Sequence, residues 1–220
     1  MCGIVGYVGT NNVPNREYFA LDVVLEGLRR LEYRGYDSAG VAMLEGGKIN
    51  FRKKAGKVAG LDEEIARDPL PDSVVGIGHT RWATHGAPTD ANAHPHVVDG
   101  GKLAVVHNGI IENFAELKTE LAAKGYTFAS ETDTEVAATL LGDIMNGEGN
   151  GDLTESMRLT CNRLEGAFTL LALHVDFPDR IVAARRNSPL VIGLGEGENF
   201  LGSDVLAFVE HTNRAVEVDQ

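Results

Sequence analysis

The sequence opens Met1-Cys2-Gly3-Ile4-Val5-Gly6-Tyr7-Val8-Gly9. If Met1 is removed, one residue carries both a free thiol and a free α-amine, a nucleophile with its base attached. A model-peptide α-amine titrates near ~7.7–8.0 and a cysteine near ~8.5, so at neutral pH part of the amine is unprotonated and can take the thiol proton. With Met1 retained, that nitrogen is an amide and no base. Cys2 is small, the kind of second residue that methionine processing tolerates, so cleavage is expected. Taken alone, Cys2 also reads as a small hydrophobe opening a buried strand. Other residues have to decide.

Asn108-Gly109 offers a side-chain amide donor beside an unhindered backbone N–H, the two parts of an oxyanion hole, although the dipeptide is more commonly just a turn. Arg81 is a surface arginine by default, yet a guanidinium after a strand can fork onto a carboxylate. Asp133 favours the positive end of its own helix, and could equally pair with a substrate ammonium. Trp82, the only tryptophan, is a core or interface residue or else part of a lid. Together these residues suit attack on the side-chain amide of an amino acid. Cys2 supplies nucleophile and base, Asn108 and Gly109 hold the oxyanion, and Arg81 and Asp133 grip the two ends of a zwitterion.

Local patterns indicate what positions them. After the opening strand, apolar residues from Tyr18 to Leu31 recur at helical spacing, predicting a helix of about four turns that ends near Glu32. A loop at 33–40 leads to a strand at 41–44, a hairpin turn at 45–48 and a returning strand at 49–54, then a short helix at 57–67. A buried-type strand at 74–79 delivers the chain to the polar loop 80–88. A strand at 103–107 stops at Asn108-Gly109, and an amphipathic helix follows through Leu117 and Leu121. Thr132 and Glu135 form a capping-box pattern opening a helix with Asp133 in its first turn. Another helix begins at Asp152 and places Cys161 on its core face, and three or four strands complete the chain. Strands and hairpins interleaved with helix pairs predict a mainly antiparallel α+β architecture, with two stacked sheets between helical layers.

Composition removes other classes. The chain has 220 residues, 43% of them hydrophobic, ample for a core. No apolar run reaches the ~20 residues of a membrane span, and the start lacks the basic flank of a signal peptide, so the expected compartment is the cytoplasm. A formal charge of −12 and a pI near 5.0 repel nucleic acid and acidic membranes, and neither is expected as a partner. Two cysteines give no disulfide framework. The histidines at 79, 85, 94, 96 and 107 match no standard metal-ligand spacing, and glycines at 3, 6 and 9 match no phosphate loop, so neither a metal nor a nucleotide is expected.

Six segments carry a resemblance: CGIVG at 2–6, RRLEYRGYDSAG at 29–40, HTRWATHG at 79–86, NAHPHV at 92–97, VVHNGIIEN at 105–113 and SETDTE at 130–135. Their order resembles the glutaminase domains of the glucosamine-6-phosphate synthases, class II glutamine amidotransferases of the N-terminal nucleophile type. The resemblance implies a four-layer αββα sandwich. It implies Cys2 as nucleophile with its own amine as base, and Asn108 and Gly109 as oxyanion donors. Arg81, Thr84 and His85 would bind the α-carboxylate of L-glutamine and Asp133 its α-ammonium, with Trp82 on a loop that closes over the substrate. No cofactor is required. It also implies that residues 1–220 are one glutaminase domain, that the sugar-isomerase domains binding fructose 6-phosphate would follow Gln220, and that the full-length protein is a homo-oligomer. The purine-pathway amidophosphoribosyltransferases share the Cys-Gly-Ile start and the Asn-Gly pair; RGYDSAG and HTRWATHG favour the amino-sugar enzymes.

Overall fold

A computed structural model describes residues 2–10, 18–83 and 86–219. Eleven strands and five α-helices are described. They are β1 (Gly3–Gly9), α1 (Ala20–Leu31), β2 (Ser38–Glu45), β3 (Lys48–Ala55), α2 (Val58–Arg67), β4 (Val75–Arg81), β5 (His96–Val98) and β6 (Leu103–Ile111), then α3 (Phe114–Ala123), α4 (Asp133–Asn146), α5 (Leu153–Arg163), β7 (Gly166–His174), β8 (Val182–Arg186), β9 (Val191–Leu194), β10 (Glu198–Gly202) and β11 (Ala215–Glu217).

The strands form two sheets, one of seven in the order β11-β9-β10-β1-β4-β2-β3 and one of four in the order β5-β6-β7-β8. Every described pairing is antiparallel. Three apolar clusters define the layers. Ile4, Ala42, Ile77, Val106, Leu171 and Leu173 lie between the sheets. Val5, Val24, Leu28, Val41, Met43 and Leu61 bind α1 and α2 to the outer face of the larger sheet. Leu117, Leu121, Val136, Leu140, Met157 and Phe168 hold α3, α4 and α5 on the smaller one. Both faces of each sheet are covered, which is why β1, β2 and β4 read as continuous apolar runs rather than alternating ones. The result is the expected α+β fold, a four-layer αββα sandwich of two antiparallel sheets. Among the described residues, no helix is long and apolar enough to cross a membrane.

Several local expectations shift. The helix before Glu32 starts at Ala20, where the Asp22 carboxylate accepts from the Phe19 N–H at 2.9 Å. The Thr132 hydroxyl caps α4 by accepting from Glu135 N. The Glu135 carboxylate turns away from the cap residue and accepts instead from the N–H groups of Ala129 and Ser130. Cys161 is partly buried against the helix-side core. β6 does not stop before Asn108-Gly109 but runs through it to Ile111, paired throughout with β7. Gly109 makes this possible with φ of 118°, where a Cβ would overlap the Ala167 carbonyl oxygen.

Candidate active site

The central strands of the larger sheet bring the first residues of the chain to the end of β4. Gly3 pairs with Thr80 and Ile4 with His79, so Cys2 and Arg81 are the next positions outward on neighbouring strands. Gly3 is confined there: a Cβ would lie 2.7 Å from Thr80 Oγ1 and 2.8 Å from Leu31 Cβ.

Cys2 Sγ accepts from the Trp82 backbone N–H at 3.2 Å. Its carbonyl accepts from Asn108 Nδ2 at 3.1 Å, which ties the nucleophile candidate to the smaller sheet. Burial pushes the Cys2 thiol above its ordinary value, and the Trp82 N–H offsets this only in part. A thiol so placed is mostly protonated at neutral pH, so attack requires a base at the moment of reaction.

Arg81 and Asp133 are each only 4% exposed. The Arg81 guanidinium donates to the carbonyls of Gly86 and Ala87, both at 3.3 Å, and burial lowers its pKa from the usual arginine value. Asp133, in the first turn of α4, accepts from Ile111 N at 2.9 Å through Oδ2. That bond pins the helix start to the stretch of β6 just beyond Gly109. His107 Nδ1 lies 2.9 Å from Thr134 Oγ1, beside the same carboxylate.

Cys2, Arg81, Trp82, His94, His107, Gly109, Thr132, Asp133 and Thr134 enclose one small cavity of about 10 Å³. That is room for about one water, whereas small-molecule sites run to roughly 300 Å³ or more. A larger ligand has to widen it, and Trp82, 46% exposed and packed edge-on against Tyr36 at 5.5 Å, is an exposed part of its wall. A wider cleft of about 600 Å³ opens at the far end of β1, between Gly9, Pro178, Gly197 and Glu198. It holds none of the candidate residues, and the small cavity is the one with matched chemistry.

Among the expected site residues, the structure thus gathers Cys2, Arg81, Trp82, Asn108, Gly109 and Asp133. Thr84 and His85 lie outside the described residues, as do Met1 and its processing. Two regions of the chain contribute that had no assigned part at the sequence level. Asp37 accepts from Ala83 N at 2.8 Å through its carboxylate and donates its own N–H to the Arg81 carbonyl at 3.0 Å. At Gly35 a Cβ would sit 2.7 Å from the Arg81 carbonyl carbon. Two residues of the RGYDSAG segment therefore bracket the backbone that carries the Trp82 N–H. The second contributor, His79, touches Asn108 from behind, with Nε2 at 3.0 Å from Oδ1.

A family model described as the glutamine amidotransferase domain matches residues 79–210. The chain belongs to that family. Among curated relatives of this amidotransferase domain are enzymes named glutamine–fructose-6-phosphate aminotransferase (isomerizing). That of Corynebacterium diphtheriae is 75% identical over 219 residues, covering 100% of this chain and 35% of the relative. That of Streptomyces coelicolor is 62% identical, covering 100% and 34%. This chain spans about a third of the length of the curated relatives it matches. Among solved structures, the glutamine phosphoribosylpyrophosphate amidotransferase from B. subtilis is similar at 25% identity with a TM-score of 0.79, over 99% of this chain and 44% of that one. A second, described as the allosteric regulatory enzyme of purine biosynthesis, matches at 26% identity and TM-score 0.81, over 99% and 45%.

Proposed function

We propose that this chain hydrolyses the side-chain amide of L-glutamine to glutamate and ammonia. It would do so as the glutaminase domain of a longer protein whose further part, a sugar-isomerase pair, uses the ammonia to convert fructose 6-phosphate to glucosamine 6-phosphate for amino-sugar synthesis. The observation that carries the reading is the convergence on one cavity of a thiol, a buried guanidinium, a buried carboxylate and Gly109, with the Asn108 amide bonded to the Cys2 carbonyl beside it. Identity of 75% to an aminotransferase over this whole chain, against 25% to a phosphoribosylpyrophosphate amidotransferase, favours the sugar reaction over the purine one. The homo-oligomeric state of the full-length protein rests on the family resemblance alone.

In this mechanism Met1 has been removed and the Cys2 amine takes the proton of the Cys2 thiol. Sulfur attacks the glutamine Cδ, and the carbonyl oxygen gathers negative charge toward the Asn108 Nδ2–H and the Gly109 N–H. The protonated amine returns its proton to the amide nitrogen, the C–N bond breaks, and ammonia leaves behind a γ-glutamyl thioester. Water, deprotonated by the same amine, attacks the thioester and regenerates thiol and glutamate. Arg81, with Thr84 and His85, pairs with the α-carboxylate and Asp133 with the α-ammonium. Trp82 swings out to admit the amino acid.

Glutamate release is measured on protein whose N-terminus has been read by mass spectrometry. Protein beginning at Cys2 turns over glutamine; Cys2→Ala and protein keeping Met1 do not. Full turnover by Met1-bearing protein would contradict the amine as base, and activity in Cys2→Ala would contradict the thiol as nucleophile. Fructose-6-phosphate-dependent glucosamine-6-phosphate formation by the full-length protein tests the sugar half.

A further inference from the structure

His79 has no part in the steps above, yet its ring is wholly enclosed on β4, 1% exposed, directly behind the Asn-Gly corner. Asn108 is held at both ends of its carboxamide. Nδ2 donates to the Cys2 carbonyl, which can only accept. That bond decides which end of the amide is nitrogen, so the oxygen is the atom facing His79 at 3.0 Å. An oxygen there requires a hydrogen on Nε2, and it leaves Nδ1 as the bare nitrogen, which has no hydrogen-bond partner among the described residues. The His94 ring lies against the imidazole with centroids 4.1 Å apart and limits its swing. Burial holds His79 far below the ordinary histidine range, at about 3, so the ring is neutral and its single proton can be committed to Nε2.

The consequence lies on the opposite side of Asn108. A carboxamide nitrogen has two hydrogens, and the Cys2 carbonyl uses one, leaving the other for a developing oxyanion. A half-turn of the amide would instead set an oxygen against both the Cys2 carbonyl and the oxyanion. We propose that His79 is a positioning residue that locks the Asn108 carboxamide with its nitrogen toward the reacting carbonyl, through a hydrogen bond from Nε2 to Oδ1. The proposal rests on the glutaminase reading and adds a residue to it. It assigns the imidazole no proton transfer.

Two measurements test it. In ¹⁵N NMR of the unliganded protein, the His79 ring should show the proton on Nε2 throughout pH 6–8; a proton on Nδ1 would overturn the lock whatever the activity. In kinetics, His79→Phe removes the donor, and kcat for glutamine hydrolysis should fall about 10- to 100-fold, short of the ~10²–10³-fold seen when an oxyanion donor itself is deleted. KM and the rate of Cys2 alkylation by iodoacetamide should stay within about twofold, because neither needs the oxyanion site. His79→Gln, whose amide can donate from a similar reach, should recover most of kcat. Wild-type kcat in His79→Phe, a rise in KM matching the fall in kcat, or a His79→Gln as slow as the phenylalanine variant would each overturn it. Should His79→Phe not fold, the tautomer and the glutamine variant still decide. Wild-type protein that shows the Nε2 proton but releases no glutamate would sink the glutaminase reading instead, so the two failures are distinct.

Discussion

Lowering the pH from 7 to 5 should remove a large part of this protein's stability, before any carboxylate is substantially protonated. His79, His94 and His96 are all pushed down by burial, His79 to about 3 and the other two well below the ordinary range. In the unfolded chain each returns to about 6.5. Below that pH the unfolded state binds protons that the folded state refuses, so stability falls as pH falls and rises as it rises. At pH 5 one such histidine favours unfolding by about 2 kcal/mol, from 1.5 pH units at 1.36 kcal/mol each. Three together reach about 6 kcal/mol, comparable with the whole ~5–15 kcal/mol of a typical domain. His174, also lowered by burial, adds in the same direction. Urea unfolding at pH 7, 6 and 5 gives the slope directly, and below about pH 5.5 it should approach three protons, about 4 kcal/mol per pH unit. A slope of one proton or less across that window would mean that these rings are charged or solvated in the folded protein, and the reasoning would fail.

Arg81→Ala should raise KM for glutamine about 10- to 150-fold, the worth of a charge-assisted contact of about 1.5–3 kcal/mol, and an unchanged KM would misplace the carboxylate site. Asp133→Ala should both raise KM and cost about 1–3 kcal/mol in urea unfolding, since it leaves the buried Ile111 N–H without its acceptor, whereas Asp133→Asn should keep the stability and still lose affinity. Equal stability of the two variants would refute that anchoring. Gly109→Ala meets both a φ of 118° and the Ala167 carbonyl, so a loss above about 3 kcal/mol is expected by thermal unfolding, with no glutaminase activity in the folded fraction. Asp37→Ala frees the Ala83 N–H and loosens the peptide whose Trp82 N–H lowers the thiol pKa. The pH profile of Cys2 alkylation should then move to higher pH, and Asp37→Asn, which keeps an acceptor, should move it back. An unmoved profile in Asp37→Ala would refute the bracket.

The candidate reacting groups were legible in residue types. A cysteine behind a removable methionine, an Asn-Gly pair, an arginine following a buried strand and an aspartate in a helix's first turn are each local facts, and local facts are what a sequence displays. The same holds for the Thr132 cap and the hairpin at 45–48, which depend on neighbours a few positions away. The end of the strand at Asn108 was misjudged because Asn-Gly favours a turn in isolation, while here β7 supplies partners on to Ile111. Likewise β5 and β11, three residues each, exist only because β6 and β9 offer them an edge. Glu135 turned from its capping role to bind the Ala129 and Ser130 amides, a choice made by packing around the segment before α4.

By itself, then, the sequence determined which groups are available to react and the antiparallel αββα class that carries them. The tertiary structure alone decided that Cys2 faces Asn108 across two sheets, that His79 backs the amide, that Asp37 holds the Trp82 peptide, and that the cavity beside Cys2 has room for about one water. Those contacts join residues 29 to 106 positions apart, and their geometry follows from strand register and core packing, which no short stretch of chain encodes alone.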